Sequence, residues 1–149
     1  MQTHRIYIFK VKLKFAKSIW RRIAIRGDQT LEGLHHAIFR AFDRYDEHLY
    51  AFYKTKNANS KSRSRLQNVP EYTDAKAVDG FDPNVHDAAE TPISSLKLTE
   101  KNTLEYLFDF GDEWWHILEL ESISERKTDM GKYPAIIEKR GKSPEQYPD

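Results

Sequence analysis

Two segments far apart in the chain alternate apolar and polar residues with a period of two, and this constrains the fold more than any other feature. In the first, Tyr7, Phe9, Val11, Leu13 and Phe15 take the odd positions, while Lys10, Lys12 and Lys14 take even ones. In the second, Leu104, Tyr106, Phe108 and Phe110 alternate with Glu105 and Asp109. Successive side chains of a strand point to opposite faces, so each segment reads as a strand with one apolar and one polar face. Each also has a neighbour to pair with. Ile19 to Ile25, beyond the short link Ala16-Lys17-Ser18, is β-branched and apolar, with Trp20 and Ile23 on opposite faces. Trp114 to Ile123 returns from a Gly111-Asp112-Glu113 turn with Leu118 and Leu120 inward, which makes a second hairpin.

The period changes after Gly27-Asp28-Gln29-Thr30. Leu31, Leu34, Ile38, Ala41 and Phe42 recur at helical spacing, and a helix is predicted over 31–44. Thr30 is its N-cap, Glu32 suits its first turn, and Arg40 and Arg44 suit the negative end of its macrodipole. His48 to Tyr53 is short and aromatic and reads as a third strand. Residues 54–95 form a polar excursion, basic first (Lys54, Lys56, Lys61, Arg63, Arg65) and then acidic. A structureless stretch of that length is unusual in a compact domain, so an edge strand or a helical turn is expected within it. Ser94 to Leu98 reads as a turn that drops Leu96 and Leu98 onto the core. Tyr133 to Gly141 places a proline where a helix starts and a glycine where one stops, which predicts a short C-terminal helix. The expected fold is α+β: a mixed, mainly antiparallel sheet with a helix on one face, in the order ββαβ, excursion, ββα.

A chain of 149 residues suits a single domain, 1–149, and 13% aromatic residues can fill its core. The absence of cysteine excludes a disulfide framework, a thiolate zinc site and a cysteine nucleophile. No apolar run approaches the ~20 residues that span a bilayer, so cytoplasmic residence and no membrane partner are expected. Charge is divided unevenly: residues 1–65 hold 15 Lys/Arg against 5 Asp/Glu, and residues 66–149 hold 9 against 18. Such a division is compatible with a nucleic-acid-binding half and equally with two halves that neutralise each other.

Three constellations carry possible chemistry. Lys10, Lys12, Lys14, Arg21, Arg22 and Arg26 crowd the first hairpin and are the nucleic-acid-binding candidates, with Trp20, Tyr50 or Tyr53 available to stack on a base. Against this, Glu105, Asp109, Glu119 and Glu121 on the second hairpin would cancel the charge if the hairpins share a sheet. The turn from Asp109 to His116 gathers Asp109, Asp112 and His116, the catalytic candidates for acid–base or metal-assisted chemistry. It has a structural explanation too, in which the aspartates accept backbone N–H bonds and His116 is satisfied beside the core. His35, His48 and His116 are the candidates for a metal cluster if they converge; no metal and no cofactor are expected. Phosphate loops, HExxH and GxSxG are absent, and Ser18 beside Arg21 and Arg22 lacks the frame of a serine recombinase.

Several stretches are shared with a known family. They are Ile19-Trp20-Arg21-Arg22-Ile23, then Thr30-Leu31 with Leu34-His35, Ile38 and Ala41-Phe42, then His48-Leu49-Tyr50-Ala51-Phe52. Leu107-Phe108-Asp109-Phe110-Gly111-Asp112 with Trp114 and His116, and Tyr133-Pro134, complete the set. In order and spacing the chain resembles the plasmid pRiA4b ORF-3-like family of prokaryotic proteins. The resemblance implies an association with mobile elements, where relatives carry resolvase-like or repressor-like labels. It implies no established activity, and the cysteine-bearing tail of many relatives is missing after Tyr133-Pro134. The expected role is a binding module for nucleic acid or a protein partner linked to mobile-element or plasmid biology. The alternative is a metal-dependent or acid–base enzyme built on the turn from Asp109 to His116.

Overall fold

The computed structural model describes residues 2–128 and 130–148. One eight-stranded sheet organises them. Its strands are β1 (Gln2–Leu13), β2 (Ala16–Arg26), β3 (Tyr50–Tyr53), β4 (Glu71–Thr73), β5 (Val85–Asp87), β6 (Thr103–Phe108), β7 (Trp114–Thr128) and β8 (Ala135–Arg140). Their spatial order is β5-β4-β3-β6-β7-β1-β2-β8, and every pairing is antiparallel except the short β4–β5 contact. Helix α1 (Leu31–Ala41) lies on one face of the sheet. No described helix is long and apolar enough to cross a membrane.

Both hairpins form, and they join through β1 and β7. The odd residues of β1 (Tyr7, Phe9, Val11, Leu13) meet Leu104, Tyr106, Phe108, Leu118 and Leu120 in a core closed by Leu31, Leu34, Ala37 and Ile38 of α1. The first hairpin turns at Lys14-Phe15, two residues earlier than the Ala16-Lys17-Ser18 link suggests, so those three residues already belong to β2. The excursion contains β4 and β5, which extend the sheet from β3, and Leu96 and Leu98 do reach the core.

Helix α1 begins as its sequence specifies: the Thr30 hydroxyl oxygen accepts the Gly33 N–H at 3.2 Å. It ends at Ala41, three residues earlier than 44. Asp43 adopts a left-handed φ of 56°, its N–H reaches the Arg40 carbonyl, and the Arg44 N–H reaches back to Phe39. That closing turn carries Arg44 away from the helix surface and into the interior.

The C-terminal helix is corrected to a strand. Residues Ala135–Arg140 pair with β2, Trp20 opposite Arg140 and Ala24 opposite Ala135, and Gly141 at φ 83° ends the pairing against Ile19. Proline at the start and glycine at the end punctuate a six-residue strand as readily as a helix. The open backbone edge of β2 and the β-branched pair Ile136-Ile137 decide for the strand. Arg21 locks the arrangement, donating to the carbonyls of Ala41, Trp20 and Arg140 and to the Ser143 hydroxyl.

Candidate functional site

Placing β1 beside β7 puts the basic strand next to the acidic one. Lys10 faces Glu119 across the pairing, and its ammonium lies 4.7 Å from the Trp20 ring centroid. Arg22 donates to both oxygens of Glu121, at 2.5 and 3.0 Å, and also to Glu138. Arg26 pairs with Asp28 at 2.8 Å. Lys14 and Arg21, expected to face outward or lie at an edge, are both buried. Lys14 ends in the Glu105 carboxylate at 2.6 Å, and Glu105 is itself fully buried on the face expected to be wet. Of the six cations of the hairpin, Lys10 and Lys12 alone have no hydrogen-bonded partner among the described residues.

The turn from Asp109 to His116 is built largely by its own backbone. Asp109, at φ 66°, accepts the N–H groups of Gly111 and Asp112 on Oδ1, and its carbonyl accepts the Glu113 N–H at 2.7 Å. Its second oxygen lies 3.5 Å from His48 Nε2. Phe110 is part of the turn and not of the strand, so it escapes the core and stays 41% exposed.

His116 points the other way. Its Nε2 accepts from the Arg44 guanidinium at 2.9 Å, which requires the proton on Nδ1, and Nδ1 lies 3.2 Å from the Tyr106 carbonyl. Burial first, and then the Arg44 charge, hold this imidazole well below its usual range and keep it neutral. Arg44 itself lies among the rings of Phe42, Phe108 and Trp114, each within 5.4 Å of its central carbon. Burial lowers it to about 10, leaving it charged at neutral pH.

Asp109, Asp112 and His116 therefore do not converge as a metal-ligating group among the described residues, and neither do His35, His48 and His116. His35 forms a different set. Its Nδ1 lies 2.6 Å from the Tyr106 hydroxyl and its Nε2 lies 3.1 Å from Glu47, with His36 on the far side of that carboxylate. The ring stacks on Tyr50 with centroids 3.7 Å apart.

What the turn does build is a cleft of about 500 Å³ between the tips of both hairpins and the C-terminal tail. Leu13, Phe15, Trp114, Trp115 and Tyr147 line it, with Asp112 and Glu113 among them. A second cleft, about 280 Å³, adjoins it across Phe15, Glu113 and Trp115 and is lined by Lys14, Lys61, Arg63 and Arg65. Phe15 is 66% exposed with the Lys61 ammonium 5.8 Å from its ring, and the Arg65 guanidinium lies 4.7 Å from the Trp115 ring. Sequence periodicity counted Phe15 as a strand residue of the apolar face. The basic run of the excursion gave no indication that it would fold back beside Trp115.

A family model described as plasmid pRiA4b ORF-3-like protein matches residues 5–147. No curated protein sequence matches the chain. Among solved structures, a crystal structure of a protein of unknown function, MM3350 from Methanosarcina mazei Go1, superposes with a TM-score of 0.73 at 24% identity. The match covers 96% of this chain and 73% of that one, so the two share a fold. The family match over nearly the whole length and the shared fold agree with the spaced motifs of the sequence: the chain belongs to the plasmid pRiA4b ORF-3-like protein family.

Proposed function

We propose that the protein is a non-enzymatic binding module that engages single-stranded nucleic acid at the hairpin-tip end of its sheet. One observation carries this reading: Phe15 and Trp115, each beside a cation, separate an aromatic cleft from a basic one. Bases stack on exposed rings whatever their sequence; Phe15 is 66% exposed and Trp115 half-buried, and Lys17, Lys61 and Arg63 stand at the surface to meet phosphates, Arg63 lying 3.7 Å from Glu113. The reading moves the interface from the face of the first hairpin, where Arg21, Arg22, Arg26 and Lys14 are occupied internally, to its tip. The family's plasmid connection is compatible with it. An acid–base site at Asp109, Asp112 and His116 has less support, because both nitrogens of His116 are engaged in the interior.

Titration of tryptophan fluorescence with short oligo(dT) and oligo(U) at several salt concentrations tests the proposal. Phosphate contacts give a slope of about −0.7 in log K against log salt per contact on single strands, so three surface cations predict a slope near −2. Phe15→Ala and Trp115→Ala are each expected to weaken binding by about 1–3 kcal/mol. Absence of any affinity at low salt removes nucleic acid as the partner.

A further inference from the structure

We propose that His35, His36 and Glu47 form a binding site for Zn²⁺ or a similar first-row divalent ion, independent of the cleft at the hairpin tips. Three potential ligand atoms, one from each residue, lie within 4.8 Å of one another. His35 Nε2 is 3.1 Å from one oxygen of Glu47, and His36 Nδ1 is 3.8 Å from the other. Ligands at about 2.0–2.2 Å from a tetrahedral zinc stand roughly 3.4 Å apart. His35 Nε2 and its nearer Glu47 oxygen already lie within that spacing, and the half-exposed His36 and Glu47 side chains would have to draw in to close the rest of the set. Two imidazoles and a carboxylate form a donor set that zinc favours, with the fourth position left for water. Calcium and magnesium prefer all-oxygen sets and are disfavoured here.

The elements that hold the three residues make the site rigid where it is buried and open where an ion would enter. His35 is 1% exposed, stacked on Tyr50, and its Nδ1 is tied to the Tyr106 hydroxyl, the kind of outer partner that orients a ligating imidazole. His36, next along α1, and Glu47 keep about half of their side chains in solvent. Glu47 arrives on the loop after the helix, and the C-terminal tail fixes that loop. Gln146 Oε1 accepts the N–H groups of Tyr45 and Asp46, its Nε2 donates to the Asp46 carbonyl, and the Tyr147 hydroxyl donates to the Asp46 side chain. Without metal, the Tyr106 hydroxyl donates to Nδ1 and the Nε2–H of His35 donates to Glu47. An ion at Nε2 would require the other neutral tautomer, in which the ring proton sits on Nδ1 and is donated to the Tyr106 hydroxyl oxygen, leaving the Nε2 lone pair and the Glu47 carboxylate to face the metal.

Calorimetric titration of the tag-free, chelator-treated chain with ZnCl₂ tests the site, with the visible spectrum of the Co²⁺ form as a readout of geometry. One equivalent of Zn²⁺ is expected, and four-coordinate Co²⁺ absorbance should appear at the same stoichiometry. His36→Ala and Glu47→Gln lie at the surface and should keep the far-ultraviolet circular dichroism of the parent. Each should weaken Zn²⁺ affinity at least about tenfold, whereas His4→Ala and His86→Ala should leave it unchanged. No stoichiometric binding, or binding that survives both His36→Ala and Glu47→Gln, overturns the proposal. Neither result bears on nucleic-acid binding at the hairpin tips.

Discussion

The ammonium of Lys14 lies 2.6 Å from a carboxylate oxygen of Glu105, and both side chains are withdrawn from water. The other oxygen of Glu105 receives Arg65 at 2.8 Å, so one buried anion serves two cations brought from the first hairpin and the excursion. The arrangement joins the β1–β2 turn, β6 and the loop of residues 54–70 on the sheet face opposite α1. Burial pushes the Lys14 ammonium below its usual range, against the opposing pull of Glu105.

Removing the shared anion should therefore cost more than removing either cation. Glu105→Ala leaves two buried cations unpaired and is expected to destabilise the fold by about 3–5 kcal/mol. Lys14→Met leaves the Glu105–Arg65 pair intact and should cost roughly 1–3 kcal/mol. Urea unfolding of the two variants provides the comparison, and equal losses would count against a shared anion.

Stability should fall in mild acid because two buried imidazoles are held neutral. His35 is pushed down to about 3 by burial and by the charges of His36 and Arg44, and His116 is pushed well below its usual value. In the unfolded chain both titrate near 6.5, so the unfolded state binds more protons below that pH. The contribution is fully present above about pH 6.5 and is lost as pH falls toward the folded values, with a slope of about 1.4 kcal/mol per pH unit for each histidine. In chelator-containing buffer, urea midpoints between pH 6 and 4.5 should drop with a slope near two protons. A flat profile across that range would contradict neutral burial.

The edge strand β8 is held from both ends of Arg21's reach, and its terminus should be sensitive to a single methyl group. A Cβ at Gly141 would meet Ile19 Cγ1 at 3.0 Å and its Cα at 3.2 Å, at a φ of 83° that side chains rarely adopt. Gly141→Ala is expected to cost about 1–2 kcal/mol and to loosen β8 selectively. Hydrogen exchange should then quicken at residues 136–140 and stay unchanged in β6. Equal protection in parent and variant would show that the close approach at Ile19 is relieved without cost.

The sheet was legible in the sequence wherever one face was apolar over several residues. Phe9, Val11, Tyr106 and Phe108 define their strands because each alternate position lacks a polar competitor. Residues 135–140 are not legible in that way: the strand lies at an edge, its Ile136 and Ile137 stay about half exposed, and nothing in its pattern separates a period of two from one of 3.6. Polarity misleads most on the second face, where Lys14 and Glu105 read as surface charges yet are buried through each other. Pairing between residues 91 positions apart leaves no local trace. The same holds for the site residues. Asp109 announces its turn, since its partners lie two and three residues ahead. The approach of His36 to Glu47 depends on where the chain leaves α1, which is set by the left-handed turn at Asp43 and by a glutamine about 100 residues away.

That glutamine gives the last prediction. Gln146 is 3% exposed and makes three hydrogen bonds to the backbone of Tyr45 and Asp46, and it also lines the cleft beside Tyr147. Gln146→Ala leaves two N–H groups and a carbonyl without their partner, a loss of about 1–3 kcal/mol where those groups stay buried. Amide exchange at Tyr45 and Asp46 should accelerate. If the tail holds Glu47 in place, Zn²⁺ affinity should fall in the same variant although no ligand has changed. Faster exchange with unaltered affinity would place the ordering of Glu47 in the histidine pair and not in the tail.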